Sequence, residues 1–305
     1  MGSYAIGVDI GGTKIAIGMV DKQGQVKEKQ VLQTNIDKSP YQVCEQIYQV
    51  AAEIIQQSGV SAGEIAGLGI GAPGPIDRVN GTIVCPPNLP KWNGFPIRKF
   101  FAERVQIPVL FENDANVATL AEKWVGAAQE NENFIYLTIS TGVGGGLFFN
   151  GDVVWGKRGN AGEVGFTTMT PDGQTIEELA SGTAIAKRAS ALMNKQLTTQ
   201  EVFQLYALGD SVIVPLIEET FQYLGRFCTN LIHFCEPEKI VIGGGVSQVG
   251  EPLFNAVRHV VRQHASSQFG RETEIVPAGL QQDTGLIGAS ALFLADVRGS
   301  KLKEN

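Results

Sequence analysis

The sequence predicts an α/β fold built by duplication, and three observations carry that reading. The first is a strand, a tight glycine turn and a second strand at Ala5–Val20, AIGVDIGGTKIAIGMV. The second is the return of the same unit, strand, glycine turn, strand, turn, strand, about 130 residues later. The third is that short apolar strands and helix-period segments share the rest of the 305 residues. Each half would carry one phosphate-facing hairpin, the two facing each other across a cleft.

The opening unit is read residue by residue. Ile6, Val8 and Ile10 alternate with Gly7 and Asp9, which is a strand period, so Asp9 falls near the strand's C-terminal end. Gly11 and Gly12 permit a tight turn with open N–H groups, and Thr13 and Lys14 set a hydroxyl and a cation beside them. Such a turn suits phosphate. A strand rather than a helix follows it, which separates it from a dinucleotide fingerprint, and the spacing is not that of a P-loop. The alternative is an ordinary hairpin whose Asp and Lys face water.

Length and composition bound the answer. The chain is long enough for two domains, and 43% hydrophobic residues supply a substantial core. The 37 glycines cluster after apolar runs, as loops at strand ends would. A net charge of −7 argues against a nucleic-acid or anionic-membrane partner. Cys44, Cys85, Cys228 and Cys235 are scattered, with no CxxC pair, so neither a disulfide framework nor a cysteine zinc cluster is expected. There is no signal-peptide pattern and no membrane-length apolar run, and Ile6 stands where an acylation signal needs Ser or Thr. A cytoplasmic protein is expected.

In order, Val26–Thr34 reads as a third strand and Ser39–Pro40 as a helix start. Val43, Ile47, Val50, Ala51 and Ile54 keep helical spacing to about Ser58. Gly67–Ile70 is a buried strand ending in the rigid loop Gly71–Pro75. Cys85–Gly94, CPPNLPKWNG, is a loop of the kind that binds substrate, unless Trp92 merely plugs the surface and Asn88 bonds the turn. Ile97–Arg104 is a short helix, Val109–Phe111 a strand, and Ala118–Trp124 lies in a helix. Between the last two stand Asn113, Asp114 and Asn116; capping explains one of them and hardly all three.

Phe134–Ser140 is an alternating strand, Thr141–Gly146 the second glycine turn, and Leu147–Phe149 and Val153–Trp155 a hairpin around Asn150–Gly151. One helical region runs from Ile176 past Met193, a small helix spans Thr198–Leu205, and the longest helix spans Val212–Cys235 with both of its cysteines on the apolar face. Lys239–Ile242 is a strand entering a third glycine turn, Gly243–Gly245. A helix at Leu253–His264, a strand at Glu274–Val276 and a helix from Gly285 to about Val297 close the chain, with a frayed charged tail from Arg298.

Three glycine turns suit a nucleotide, two near the phosphates and one near the ribose or base. Phosphoryl transfer needs little beyond these donors, a metal, an aligned acceptor and a base for its proton, and Asp114 is the carboxylate in place for that last role. Asn113, Glu163 and Glu177 are further groups of the kind that take the hydroxyls of a polyol, so the acceptor is expected to be a sugar.

The chain resembles the ROK family of sugar kinases and sugar-responsive repressors over essentially its full length. The motifs are DIGGTK at Asp9–Lys14, GAPG at Gly71–Gly74, NLPKW at Asn88–Trp92, ENDAN at Glu112–Asn116, STGVGGG at Ser140–Gly146, NAGEVG at Asn160–Gly165 and IVIGGG at Ile240–Gly245. The resemblance implies an actin-like, hexokinase-like ATPase fold with duplicated ribonuclease-H-like domains. Residues 1–117, completed by the C-terminal helix at about 285–305, would form the smaller domain and 118–284 the larger. It implies Asp114 as the catalytic base and Gly71, Asn88, Asn113, Glu163 and Glu177 at the sugar. Asp9, Gly11, Gly12, Thr13, Lys14, Thr141 and Gly142 would meet the phosphates, and Gly243, Gly244 and Gly245 the adenosine. ATP and Mg²⁺ would be the cofactors, with Asp9 holding the metal through water.

Family repressors carry a DNA-binding domain before the first glycine loop, which here opens at Asp9, so a kinase is expected and a repressor is not. Family members usually have His after AGExG and a cysteine-rich zinc segment. Here Phe166 stands in the His position and Thr167–Glu178 holds no cysteine, so no zinc site is expected. The implied reaction is phosphorylation of a hexose 6-hydroxyl, glucose first because NLPKW is most like glucokinase members, in a homodimer. β-Glucosides, fructose, mannose and N-acetylmannosamine are the other sugars, and a non-catalytic sugar-binding protein is the rival class.

Overall fold

The computed structural model describes residues 2–86, 89–280 and 283–296. Tyr4–Ile10 (β1), Lys14–Asp21 (β2) and Val26–Gln33 (β3) form the antiparallel ladder expected from their alternation. Pro40–Ser58 (α1) starts where Ser39 promised: Ser39 Oγ accepts from the Gln42 N–H and Gln42 Oε1 from the Ser39 N–H, a reciprocal cap. Its buried face is Val43, Ile47, Val50, Ala51 and Ile54, the periodic residues of the sequence. Ile65–Ala72 (β4) then pairs parallel to β1. A small hairpin, Ile76–Asp77 (β5) and Thr82–Ile83 (β6), was not predicted; two-residue strands leave no alternation to read. Ile97–Ala102 (α2) leads to Val109–Asn113 (β7), parallel to β4.

At β7 the structure corrects two boundaries. The strand runs on through Glu112 and Asn113, and the next helix, Asp114–Val125 (α3), begins at Asp114 rather than near Ala118. The reason is that Asn113 both ends the strand and caps the helix, which lets one residue separate the two elements.

Phe134–Ile139 (β8), Val143–Phe149 (β9) and Asp152–Val153 (β10) repeat the opening pattern. The predicted helix from Ile176 is two helices, Ile176–Ala180 (α4) and Gly182–Met193 (α5), because Ser181 is extended and caps the second, its Oγ accepting from the Ala184 N–H. Thr199–Ala207 (α6) and Ile213–Cys235 (α7) follow. Lys239–Gly243 (β11), Glu251–His264 (α8), Gln268–Glu272 (α9), Glu274–Pro277 (β12) and Thr284–Leu294 (α10) complete the described chain. Burial pushes the Cys44 thiol up and the Cys228 thiol up to about 12, so both are packing residues rather than nucleophiles.

The sheet orders are β3-β2-β1-β4-β7 and β10-β9-β8-β11-β12. They correspond strand for strand: a meander of three, then two strands added on the far side of the first. This is the duplication read from the sequence, and the fold is the α/β architecture of two similar sheet-and-helix halves that the ROK resemblance implied. Packing separates two compact units, one of Met1–Glu132, Gly146–Gly162 and Gly279–Asn305, the other of Asn133–Gly145 and Glu163–Ala278. In the first, Ile6, Val8, Ile47, Leu68 and Phe101 sit in one buried core, each contributing about 1.5–3 kcal/mol by leaving water. There α10 packs on β1, β4 and α3.

Candidate functional site

In the first unit, strand register lines up the site-like residues. Asp9 on β1 lies beside Gly71 on β4, which lies beside Glu112 on β7, and Ala72 pairs with Asn113. These are the C-terminal ends of adjacent parallel strands, where open α/β sheets place their ligands. The first glycine turn is closed by the Gly11 N–H donating to Lys14 O at 2.9 Å. It is braced by Thr34, whose N–H donates to Thr13 O at 2.9 Å and whose Oγ1 donates to Gly11 O at 2.8 Å. Burial raises the Asp9 pKa to about 6, Lys14 pulling it down and Asp283 pushing it up. The Asp9 carboxyl occupies the space a side chain at Gly285 would need, in the first turn of α10.

Asn113, 7% exposed, spends Oδ1 on the cap, accepting from Ala115 N–H at 2.8 Å and Asn116 N–H at 3.3 Å. Asp114 is the first helical residue, its Oδ1 accepting from Ala115 N–H at 2.8 Å. Asn88 lies outside the described residues. Trp92 is 2% exposed and sits edge-on to Phe95, so of the two readings of that loop the tryptophan belongs to the core. Lys91 Nζ donates to Asp37 O at 2.7 Å and ties the loop to the end of the strand region before α1.

In the second unit, Gly243 lies beside Thr138 in register. Gly244 has φ 87°, and a side chain there would run into the Ile139 carbonyl. The third glycine turn is thereby pressed against the end of β8, where the second turn, Thr141–Gly142, begins. Glu177, in the first turn of α4, accepts from the Val143 N–H at 2.8 Å through Oε2 and lies against Gly142. Glu163 is held above the usual carboxylate range by burial and by the neighbouring Glu177 charge. Phe166 ends the short 3-10 turn Val164–Phe166 with 60% of its surface exposed. The segment after it is organised by a Thr168–Thr175 bridge and a Thr175–Glu178 capping box. Among the described residues no group of three or more His, Cys, Asp or Glu is placed to hold a metal ion.

Four structural residues of these sites escaped sequence reasoning. Asn160, the first residue of NAGEVG, accepts from Ile76 N–H at 2.9 Å and donates to Ile76 O at 2.8 Å, inside the first unit. Glu112 is buried and paired with Arg78, Nε to Oε2 at 2.9 Å. Glu122 is also fully buried, bonded to three backbone N–H groups. A charged residue at the end of an apolar strand, as at Glu112, is a signal that could have been used; nothing local marks Arg78.

Comparison with known proteins identifies the family. The sequence model described as the ROK family matches residues 5–296. A glucokinase of Thermotoga maritima is 33% identical, covering 96% of this chain and 98% of its own. A beta-glucoside kinase of Listeria monocytogenes is 30% identical, covering 94% and 96%. The crystal structure of a ROK hexokinase from Thermus thermophilus superposes with a TM-score of 0.84 at 34% identity, covering 94% and 97%. Among the described residues no helix is long and apolar enough to cross a membrane.

Proposed function

The chain belongs to the ROK family as an ATP-dependent sugar kinase, and from that premise we propose that it phosphorylates the 6-hydroxyl of D-glucose, with Asp114 as the base. The observation that carries this is the junction of β7 and α3: Asp114 is fixed at a helix N-terminus, beside Asn113 and at the same sheet end as Asp9 and Gly71. Asp114 takes the hydroxyl proton as the phosphoryl group moves. Asn113 spends Oδ1 on the cap and offers Nδ2 to a sugar oxygen. Glu163 and Glu177 accept from ring hydroxyls, and Gly71 lines the sugar. Asp9–Lys14 and Thr141–Gly142 meet the phosphates and Gly243–Gly245 the adenosine. The active form is a cytoplasmic homodimer that binds no nucleic acid.

The residues at the first glycine turn fit Mg²⁺. Asp9 is a hard oxygen donor at the C-terminal end of β1, its carboxyl against the first turn of α10, and Mg²⁺ keeps most of its waters and shares phosphate oxygens. When bound, the ion neutralises charge on the transferring phosphoryl group. Removal of divalent ions with EDTA is expected to abolish activity and Mg²⁺ to restore it. Stoichiometric zinc in the purified protein, or full activity in excess EDTA, contradicts this assignment.

Glucose is favoured by NLPKW and by the glucokinase relative. An epimer leaves a buried polar partner unmatched, at about 1–3 kcal/mol each. A second reading, a β-glucoside kinase, is favoured by one observation: Phe166, at the end of the short turn that Glu163 opens, offers an exposed apolar ring suited to a substituent on the 1-position. The test is kcat/KM for glucose, mannose, fructose, N-acetylmannosamine and cellobiose under one condition. Glucose is expected to lead. If cellobiose leads, glucose is the wrong substrate and Phe166→His should reduce the preference. No sugar-dependent ADP release with any hexose would sink the kinase reading.

A further inference from the structure

One residue before Asn113 the chain buries a carboxylate, and every group bonded to it is a donor. Glu112 is 1% exposed. Its Oε1 accepts from the Asn113 N–H at 2.9 Å and from Asn116 Nδ2 at 3.0 Å, and its Oε2 from Arg78 Nε at 2.9 Å. A carboxylate with donors on both oxygens matches this set; an amide, which carries its own donor at one end, does not. Arg78 supplies the opposite charge, its guanidinium 4.3 Å from the centre of the Trp155 ring. The Arg78 backbone is tied in turn, its N–H donating to Arg158 O at 3.0 Å, two residues from the pair of hydrogen bonds between Ile76 and Asn160. Three segments far apart in sequence therefore meet around this ion pair.

A buried ion pair is a poor source of net stability, since apolar residues of similar volume often do as well. Its place in the fold points to another use. The two bonds on Oε1 join the backbone N–H of residue 113 to the side chain of residue 116, one helical turn on. They span the junction at which β7 turns into α3, and Asp114 is the first residue after that turn.

We propose that Glu112, held by Arg78, is a positioning residue that aims Asp114 at the reacting hydroxyl; this rests on the kinase reading with Asp114 as base. Glu112 does not itself touch substrate. In Glu112→Gln the amide N–H₂ must face either Arg78 or the Asn113 and Asn116 donors, so one side of the brace opens with no change in size. A displacement on the order of 1 Å at the base costs about 10²-fold in rate.

The experiment is a double-mutant cycle between Glu112→Gln and Asp114→Asn, reading kcat, sugar and nucleotide Kd, and Tm. Glu112→Gln alone is expected to lower kcat about 10²-fold with both Kd values held within about threefold. In the Asp114→Asn background it should cost less than about threefold, because the residue it aims is already inert. Arg78→Lys, which keeps the charge and loses the planar fork, should fall between wild type and Glu112→Gln, and carries the same cycle if Glu112→Gln does not fold. A folded Glu112→Gln that retains wild-type kcat overturns the proposal. So does an equal further loss in the Asp114→Asn background, or a loss of sugar affinity that accounts for the fall in rate. A wild-type protein without sugar-dependent ADP release instead removes the kinase reading, which distinguishes the two failures.

Discussion

Asn in place of Asp114 is expected to remove nearly all turnover while sugar binding survives. The 6-hydroxyl is a poor nucleophile until its proton leaves, and a positioned general base is worth about 10² to 10⁴ in rate. The substitution is close to isosteric. Asn keeps an oxygen that can accept from the Ala115 N–H, now bonded to Asp114 Oδ1 at 2.8 Å. What is lost besides the basicity is the favourable placing of a negative charge in the first turn of α3, about 0.3–1 kcal/mol. The competing view, that Asp114 only caps the helix, is weakened because Asn113 holds the cap position with two bonds from its Oδ1. The two residues should therefore separate experimentally. Asn113→Ala should lower Tm through a lost cap worth about 1 kcal/mol and also weaken the sugar. Asp114→Asn should leave the sugar Kd near wild type and lower kcat, with a fall in Tm no larger than that of Asn113→Ala. An Asp114→Asn protein with a near-normal rate per folded molecule ends the assignment of Asp114 as base.

The contrast between Asn113 and Asp114 also shows what a sequence makes legible. The alternation of Ile6, Val8 and Ile10, the Ser39–Pro40 helix start and the repeated glycine turns are local patterns, and β1, β2, α1 and β8 formed where those patterns placed them. β9 instead begins at Val143, four residues earlier than the expected Leu147, because the glycines at 144–146 pair in the ladder rather than turn. The run Asn113, Asp114, Asn116 was recognisable as too polar for its position, and the structure divides the work: Asn113 caps, Asn116 braces Glu112, and Asp114 leads the helix. Where reading failed, the deciding partner was distant. The break at Ser181 depends on a side-chain cap that competes with helix continuation, and helical periodicity runs through it unmarked. Arg78 meets Glu112 across 34 residues, and nothing near either residue announces the other. Residue type and the family resemblance both make Glu177 a hydroxyl acceptor, yet one of its oxygens is engaged by the Val143 N–H, a bond visible only once α4 is packed against the second glycine turn. The oxygen left over is what the proposed sugar contact must use.

The largest effect on stability is expected at a carboxylate outside the proposed chemistry, Glu122. It lies on α3 two turns beyond Asp114 and is 0% exposed. Its Oε2 accepts from the N–H groups of Ala127 at 2.7 Å and Gly279 at 3.0 Å, and its Oε1 from Leu280 N–H at 3.0 Å. Residues 279 and 280 are where the chain re-enters the first unit on its way to α10, so one side chain fastens the end of α3 to that approach. Glu122→Ala strands three backbone donors at once. Each such orphan costs about 1–3 kcal/mol, and allowing for partial rehydration the sum is about 3 kcal/mol. For a chain of this length that corresponds to a Tm lower by roughly 5 °C. Glu122→Gln, with one acceptor oxygen and a donor turned toward an N–H, should lie between Ala and wild type. Because Glu122 stands away from Asp114, kcat measured well below the transition should stay within about twofold of wild type in both variants. The outcome that contradicts this account is a Glu122→Ala protein that melts with wild type, which would mean that water satisfies the three N–H groups as well as the carboxylate does. A selective fall in kcat with Tm unchanged would contradict it equally, by moving Glu122 from the scaffold into the chemistry.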